Sequence, residues 1–220
     1  MCLHDAVDVL EQAQYALHEV YAHEVWYREK RENPIEAAAV YYGQFYAQDL
    51  AFRLYSVAEH VANGIIMMLE ITDAELDPYR HKKRVSQASL VGHYLLKQRK
   101  DEQITGIIRP LTKLRAWQRT TSYRNQFVHA QPPTVAGLGM VYKRERRWIT
   151  VEATPDNVGQ HVLGLGGGDT PEYTLEDILA FLEPSFFALV GFTHAVAEFY
   201  ITLLGKHGLK MTSGGPSFTL

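Results

Sequence analysis

Residues 35–69 read IEAAAVYYGQFYAQDLAFRLYSVAEHVANGIIMML, and this stretch decides the fold class. It contains no proline, and its apolar residues recur at spacings of three and four, which is the periodicity of an amphipathic α-helix. At ~1.5 Å per residue such a helix is roughly 50 Å long. We expect it to begin after the cap and first-turn proline of Asn33-Pro34. Its apolar stripe consists of Leu50, Leu54, Val57, Val61, Ile65 and Met68.

Helical periodicity continues on both sides of this stretch, interrupted near Pro110. The polar segment from Thr72 to about Arg84 is interpreted as a connection. Together the pattern predicts an all-α bundle of five or six helices. The predicted helices span about 3–31, 35–69, 86–98, 101–129 and 175–205.

The segment after Gln131-Pro132-Pro133 changes character. Two short runs of β-forming residues, 139–142 and 148–151, flank a basic pentapeptide at 143–147. We predict a small β-hairpin insertion over 137–153 with this basic segment at its tip. The glycines at 164–168 lack the Lys-Ser/Thr of a phosphate-binding P-loop, so we interpret them as a plain loop.

The length of 220 residues suits one sizeable core, and no linker or internal repeat divides it. We predict a single helical domain over 1–207 and a flexible tail over 208–220. The apolar stretch Phe186–Leu204 contains His194 and Glu198, which favours a buried core helix over a membrane span.

The composition, 46% hydrophobic and 21% charged, is that of a globular protein. The net charge of −3 lacks the basic excess of most nucleic-acid-binding domains, although a local basic patch remains compatible with it. Cys2 is the only cysteine, so a disulfide framework and a cysteine-rich zinc site are excluded. No His-Glu-x-x-His spacing occurs, and we expect neither metal nor cofactor. The N-terminus does not resemble a signal peptide, so we expect a cytoplasmic protein without a membrane partner.

The residues that carry potential chemistry lie at the end of the helix that finishes at His129. Arg124 lies on a rather apolar stripe, where an arginine either pairs internally, points into an interface or binds an anion. His129 lies at the C-terminal end, where the helix dipole favours a protonated imidazole. The two differ by about 140° on an ideal helix, so a shared cleft needs a second helix or subunit. Asn125 and His129 are four apart and share one side.

The segment Arg124-Asn125-Gln126-Phe127-Val128-His129 resembles the Arg-x4–6-His motif of the HEPN superfamily, in which asparagine often follows the arginine. Its place late in a helix, within an all-α bundle and after a long earlier helix, also resembles that family. The resemblance covers about residues 1–130 and the last helix in architecture, and the six motif residues in sequence. It implies a HEPN-like bundle and a metal-independent endoribonuclease whose motif helices meet across a homodimer.

The resemblance also implies a role for each motif residue. His129 would act as general base toward a ribose 2′-hydroxyl or as acid toward the leaving 5′-oxygen. Arg124 would stabilise charge on the phosphate, and Asn125 would orient His129 or contact the phosphate. The family further implies a toxin–antitoxin or antiphage defence role, with RNA as substrate and a nucleotidyltransferase-type antitoxin as a partner.

Further residues are candidates for supporting roles, each with a structural alternative. In HEPN folds a polar residue from an earlier helix often joins the Arg-His pair, so Glu59, His60 or Asn63 are candidates; the alternative is a solvated face or a buried polar ladder. Tyr123 either contacts phosphate or an interface, or packs in the core. The candidate RNA-backbone contacts, which are otherwise a solvated hairpin tip, are Lys143, Arg144, Arg146 and Arg147.

The alternative to catalysis is a structural motif. Arginine and histidine at the end of a bundle helix often only pack, and many HEPN domains bind nucleotides or RNA without cleaving them. The second hypothesis is therefore a non-catalytic HEPN-like dimeric module that binds a nucleotide, RNA or a protein partner.

Overall fold

The computed structural model describes residues 2–29, 36–80, 86–129, 133–138, 142–150, 161–167 and 170–208. Within them the protein is predominantly helical, which confirms the all-α expectation at that level. Antiparallel strands β1 (Tyr142–Thr150) and β2 (His161–Gly167) are the described strands. The described helices are α1 (Cys2–Glu29), α2 (Glu36–Met68), α3 (Asp73–Leu76), α4 (Gln87–Gln98), α5 (Gln103–Lys113), α6 (Arg115–His129) and α7 (Leu175–Lys206).

Five of the six residues of the apolar stripe predicted on α2 lie in the core, and the sixth, Met68, is half-buried. Leu50, Leu54, Val57, Val61 and Ile65 are each at most 1% exposed. Burial of this kind stabilises the fold by about 1.5–3 kcal/mol per large aliphatic side chain. The spacing of three and four residues in the sequence therefore corresponds to a buried face of α2. The predicted cap at Asn33-Pro34 lies outside the described residues.

Side chains cap the starts of α3 and α7. Thr72 and Glu75 form a capping box at α3: the Thr72 N–H donates to Glu75 Oε2 at 2.8 Å, and Thr72 Oγ1 accepts from the Glu75 N–H at 3.4 Å. The segment from Thr72 to about Arg84 was interpreted as a connection, and α3 and a 3-10 turn over Asp77–Tyr79 lie within it. A similar box between Thr174 and Asp177 begins α7.

The break between α5 and α6 lies four residues later than predicted. Pro110 is inside α5, and the helix ends at Lys113, followed by the cap residue Leu114, whose backbone is extended. A proline this close to the C-terminal end of a helix removes one backbone hydrogen bond, and the helix can continue for the few residues that remain. The prediction of an interruption at Pro110 was therefore wrong in position.

The turn of the β-hairpin was predicted at the wrong residues. Residues 143–147 lie inside β1 and not at a tip, and the glycines read as a loop lie largely in β2, where Arg147 pairs with Gly164 and Trp148 with Leu163. Glycine-rich segments have low strand propensity, so composition alone gives little signal for such a strand. The register is irregular between Tyr142 and Arg146.

The chain divides into two compact units, each built from segments distant in sequence. The single domain predicted over 1–207 stays a prediction, and the tail beyond residue 208 lies outside the described residues. Unit 1 comprises Met1–Gln12, Arg53–Gln118 and Pro184–Leu220, and its core includes Leu95, Ile104 and Leu189. Unit 2 comprises Ala13–Phe52 and Arg119–Glu183, and its core includes Val20, Tyr123 and Phe181.

Among the described residues, helix α7 is long and apolar enough by length and composition to cross a membrane, with a mean hydropathy of 1.6 over an 18-residue window. Only 17% of that window is buried. Leu189 and Val196 are fully buried, whereas Phe187 and Ile201 are 60% and 50% exposed. The expectation of a buried core helix over 186–204 therefore holds for one face only.

Candidate functional site at the end of helix α6

Helix α6 is fixed in rotation by two buried residues of unit 2. Thr120 is fully buried, and its hydroxyl donates to the backbone carbonyl of Phe181 at 3.3 Å. Three residues later, Tyr123 is 1% exposed and makes edge-to-face ring contacts with Phe127, Tyr173 and Phe181 at centroid distances of 4.9, 5.8 and 5.5 Å. Each such pair contributes about 0.5–1.5 kcal/mol beyond burial. These contacts place Tyr123 in the core, and the next two residues, Arg124 and Asn125, are half-buried and exposed.

Arg124 is half-buried, and contacts of its guanidinium group with Asn125 and Phe52 are defined. Its Nη1 donates to Asn125 Oδ1 at 3.1 Å. The guanidinium carbon lies 5.5 Å from the ring centroid of Phe52 on α2, which is a cation–π distance. Asn125 thus accepts a hydrogen bond from Arg124. The asparagine and the aromatic ring together hold the guanidinium in one place.

The stripe around Arg124 is less buried than its composition suggests. Thr121 is half-buried and Val128 is 41% exposed. Arg124 therefore lies on a stripe that is only partly buried. Asn125 and Ser122 are exposed, as expected for the polar side of the helix.

His129 is the last residue of α6, as predicted. Its side chain lies outside the described part of the structure. On an ideal helix, a separation of five residues corresponds to a rise of about 7.5 Å and a rotation of about 140°. Arg124 and His129 thus lie on one helix of unit 2, on different sides of it.

Tyr123 packs in the core, which is one of the two alternatives that the sequence left open. Burial raises the pKa of its hydroxyl, and the neighbouring Tyr173 raises it further. Among the described residues, the Tyr123 hydroxyl oxygen has no hydrogen-bond partner. Burial this deep favours core packing over contact with a phosphate at the surface, and the phosphate role of Tyr123 stays a prediction.

Glu59 caps helix α4. Its carboxylate oxygens accept hydrogen bonds from the backbone N–H groups of Gln87 at 3.0 Å and Ala88 at 3.1 Å. Ser86 Oγ accepts from the Ser89 N–H at 3.1 Å at the same helix start, as its sequence position predicted. Glu59 therefore satisfies two of the donors that a helix N-terminus leaves unpaired.

His60 and Asn63 are half-buried on α2. Together with Glu59 they belong to unit 1, whereas Arg124 and Asn125 belong to unit 2. A shared role for these residues with Arg124 stays a prediction. The basic residues Lys143, Arg144, Arg146 and Arg147 lie in β1, and their side chains are outside the described part of the structure.

The residue that sequence reasoning missed is Phe52. It is separated from Arg124 by 72 positions, and nothing in the local pattern of α2 indicates a contact with α6. In the part of the chain that the structure describes, no group of three or more His, Cys, Asp or Glu side chains is arranged to hold a metal ion. Comparison with protein-family models, curated proteins and solved structures finds no match to this chain.

Proposed function

We propose that this protein is a HEPN-type, metal-independent endoribonuclease whose site is formed by Arg124, Asn125 and His129. One observation supports this proposal above the others. Helix α6 carries a half-buried Arg124, held by Asn125 and Phe52, one and a half turns before the helix ends at His129. An oriented cation and a helix-end imidazole are the two groups that RNA cleavage by its own 2′-hydroxyl needs.

In the proposed reaction a ribose 2′-oxygen attacks the adjacent phosphorus, and its proton passes to a general base. The bond from phosphorus to the 5′-oxygen breaks, and that oxygen leaves with a proton from a general acid. The products are a 2′,3′-cyclic phosphate and a 5′-hydroxyl. His129 supplies one of the two proton transfers, and the His129 of a second copy supplies the other. The imidazole is suited to this work because its ordinary pKa, about 6.5, lies near neutral pH.

Arg124 stabilises the charge that develops on the phosphate oxygens. A guanidinium is permanently charged, and its planar fork matches two phosphate oxygens. The contacts with Asn125 and Phe52 restrict its rotamers before substrate binds. An arginine that is already ordered loses less entropy when it binds the anion, which favours catalysis by preorganisation.

The rotation of about 140° between Arg124 and His129 explains why the proposal includes a homodimer. One helix does not direct both side chains at a single phosphate without help. A second copy of α6 brings a second Arg124 and a second His129 to the same cleft.

The test is cleavage of an end-labelled, single-stranded RNA by purified protein with EDTA present. We expect cleavage by the wild type, loss of at least a hundredfold in His129→Ala and Arg124→Ala, and no loss in Ser122→Ala. Ser122 is exposed on the same helix and serves as the matched control. DNA of the same sequence should survive, because it lacks the attacking hydroxyl. Equal cleavage by wild type and His129→Ala would overturn the proposal.

The second candidate is a non-catalytic HEPN-like dimeric module that binds a nucleotide, RNA or a protein. It is favoured by the contact between Arg124 and Phe52, since a cation–π pair also serves packing alone. Induced expression separates the two in cells: an active ribonuclease slows growth and His129→Ala relieves it, whereas a binding module shows no such difference. A toxin–antitoxin or antiphage setting and a nucleotidyltransferase-type antitoxin belong to the first candidate.

A further inference from the structure

Three aromatic residues of α2 form an exposed line that we call the aromatic stripe: Tyr41, Phe45 and Phe52. Their side chains are 59%, 54% and 36% exposed. On an ideal helix the three positions fall within about 40° of one another, with rises of about 6 Å and about 10 Å between them. Three large rings therefore face solvent along one line of unit 2.

Edge-to-face contacts with neighbouring rings hold two members of the stripe, Tyr41 and Phe45, in place. Tyr41 meets Tyr42 at a centroid distance of 5.5 Å and an interplanar angle of 78°. Phe45 meets Tyr46 at 5.4 Å and the same angle, and Tyr46 in turn lies 5.6 Å from the His23 ring. A ring fixed by one edge contact keeps a face on which a flat ligand can stack.

The chemistry of the stripe differs from that of the exposed apolar surface of α7. The large apolar side chains exposed along the unit 2 segment of α2 are all aromatic. On α7, by contrast, the exposed large residues mix aromatic and aliphatic types, among them Phe187, Val190 and Ile201. A mixed surface suits helix packing, whereas a purely aromatic line suits ligands that themselves have π faces.

The stripe ends at the cation of the proposed site. The Arg124 guanidinium lies 5.5 Å from the Phe52 ring, so the last ring of the stripe is adjacent to a group that is complementary in charge to phosphate. Bases stacked on a line of aromatic rings, with phosphates near an arginine, are the combination by which proteins bind single-stranded nucleic acid. A paired duplex stacks its bases internally and presents no free face to such a line.

We infer that the aromatic stripe binds the bases of single-stranded RNA and leads the strand to Arg124. The choice of RNA over single-stranded DNA rests on the proposed ribonuclease function, because stacking alone does not distinguish the two. The stripe thereby determines the substrate class: unpaired RNA segments are bound and cleaved, and duplex RNA is not.

The test measures binding separately from cleavage. Fluorescein-labelled A10 RNA is titrated with His129→Ala protein, and binding is followed by anisotropy, so that the RNA stays intact. Phe45→Leu and Tyr41→Leu, made in that background, keep apolar surface and remove a ring. We expect each to weaken binding roughly tenfold, which corresponds to ~1.4 kcal/mol. Tyr200→Leu is the control, because Tyr200 is an exposed aromatic residue (37%) on α7.

Four outcomes decide the inference. Loss of binding in both stripe variants, with Tyr200→Leu unchanged and duplex RNA bound at least tenfold more weakly, supports it. Unchanged binding in the stripe variants overturns it and leaves the ribonuclease proposal intact. Stripe-dependent binding by a wild-type protein that never cleaves RNA supports the stripe and overturns the ribonuclease. A change from dimer to monomer in Phe45→Leu, seen by light scattering, overturns the inference because the stripe is then covered by a second copy.

Discussion

Replacing Glu59 by alanine separates a structural role of this residue from a catalytic one. The Glu59 carboxylate accepts two backbone hydrogen bonds, at 3.0 and 3.1 Å, from the first turn of α4. Hydrogen bonds to charged groups contribute about 1.5–3 kcal/mol each when both partners are desolvated. Glu59 is only half-buried, and Ser86 still caps the same helix after the change. We therefore expect Glu59→Ala to lower the free energy of unfolding by about 2 kcal/mol.

For a protein of this length, such a change lowers the Tm by roughly 4–8 °C. Circular dichroism during heating measures it, with urea unfolding as a second measurement of the free energy. Glu59→Gln keeps an oxygen acceptor and should lose about half as much. Glu11→Ala, at an exposed glutamate of α1, should change the free energy of unfolding by no more than about 0.5 kcal/mol.

The same variants measure the role of Glu59 in function. At a temperature where all of them are folded, RNA cleavage by Glu59→Ala should equal that of the wild type. A Tm within 1 °C of the wild type would refute the capping argument. If Glu59→Ala lost RNA cleavage while keeping the stability of the wild type, the structural role would be refuted and Glu59 would be assigned to the catalytic site.

Three further predictions concern stability. Tyr123→Phe removes a buried hydroxyl without a partner among the described residues, so thermal unfolding should show equal or higher stability, by up to about 1 kcal/mol; a loss above that would show a hidden partner. Gly137→Ala should destabilise by roughly 2 kcal/mol or more, because φ is +97° and an added Cβ would lie 2.7 Å from Val40 Cγ2. Its control, Gly106→Ala, faces open space within α5 and should be neutral or stabilising in urea unfolding. Hydrogen bonds from Thr72 and Tyr94 lower the pKa of Glu75 from 4.5 to about 2. The stability it contributes is therefore fully present above pH 4.5 and is lost as pH falls toward 2, and Glu75→Gln should flatten that part of the stability–pH curve.

The long helices could be predicted from sequence because their signals are local and repeated. The stripe from Leu50 to Ile65 has the helical period, and burial follows it. The caps of α4 and α7 at Ser86 and Thr174 are local features, because a cap involves residues three positions apart. The end of α6 at His129 also followed from local signals, since two prolines come soon after it.

The features that escaped prediction are those that depend on residues far apart in sequence. The cap of α4 comes from Glu59, 28 positions before Gln87. The pairing of β1 with β2 joins a basic segment to a glycine-rich one, and both have the composition of turns. In the candidate site the motif residues were recognisable on α6, but the contact of Arg124 with Phe52 arises only when α2 and α6 pack in unit 2.

Whether Arg124 and His129 cleave RNA through its own 2′-hydroxyl can be measured with one pair of substrates. An RNA with a mapped cleavage position is compared with the same RNA carrying a single 2′-deoxy nucleotide immediately 5′ of the scissile phosphate, with EDTA present. We expect the unmodified RNA to be cleaved to a 2′,3′-cyclic phosphate end. The RNA with the 2′-deoxy nucleotide should not be cleaved at that position. Cleavage of both at the mapped position, or a 3′-hydroxyl product, would contradict it.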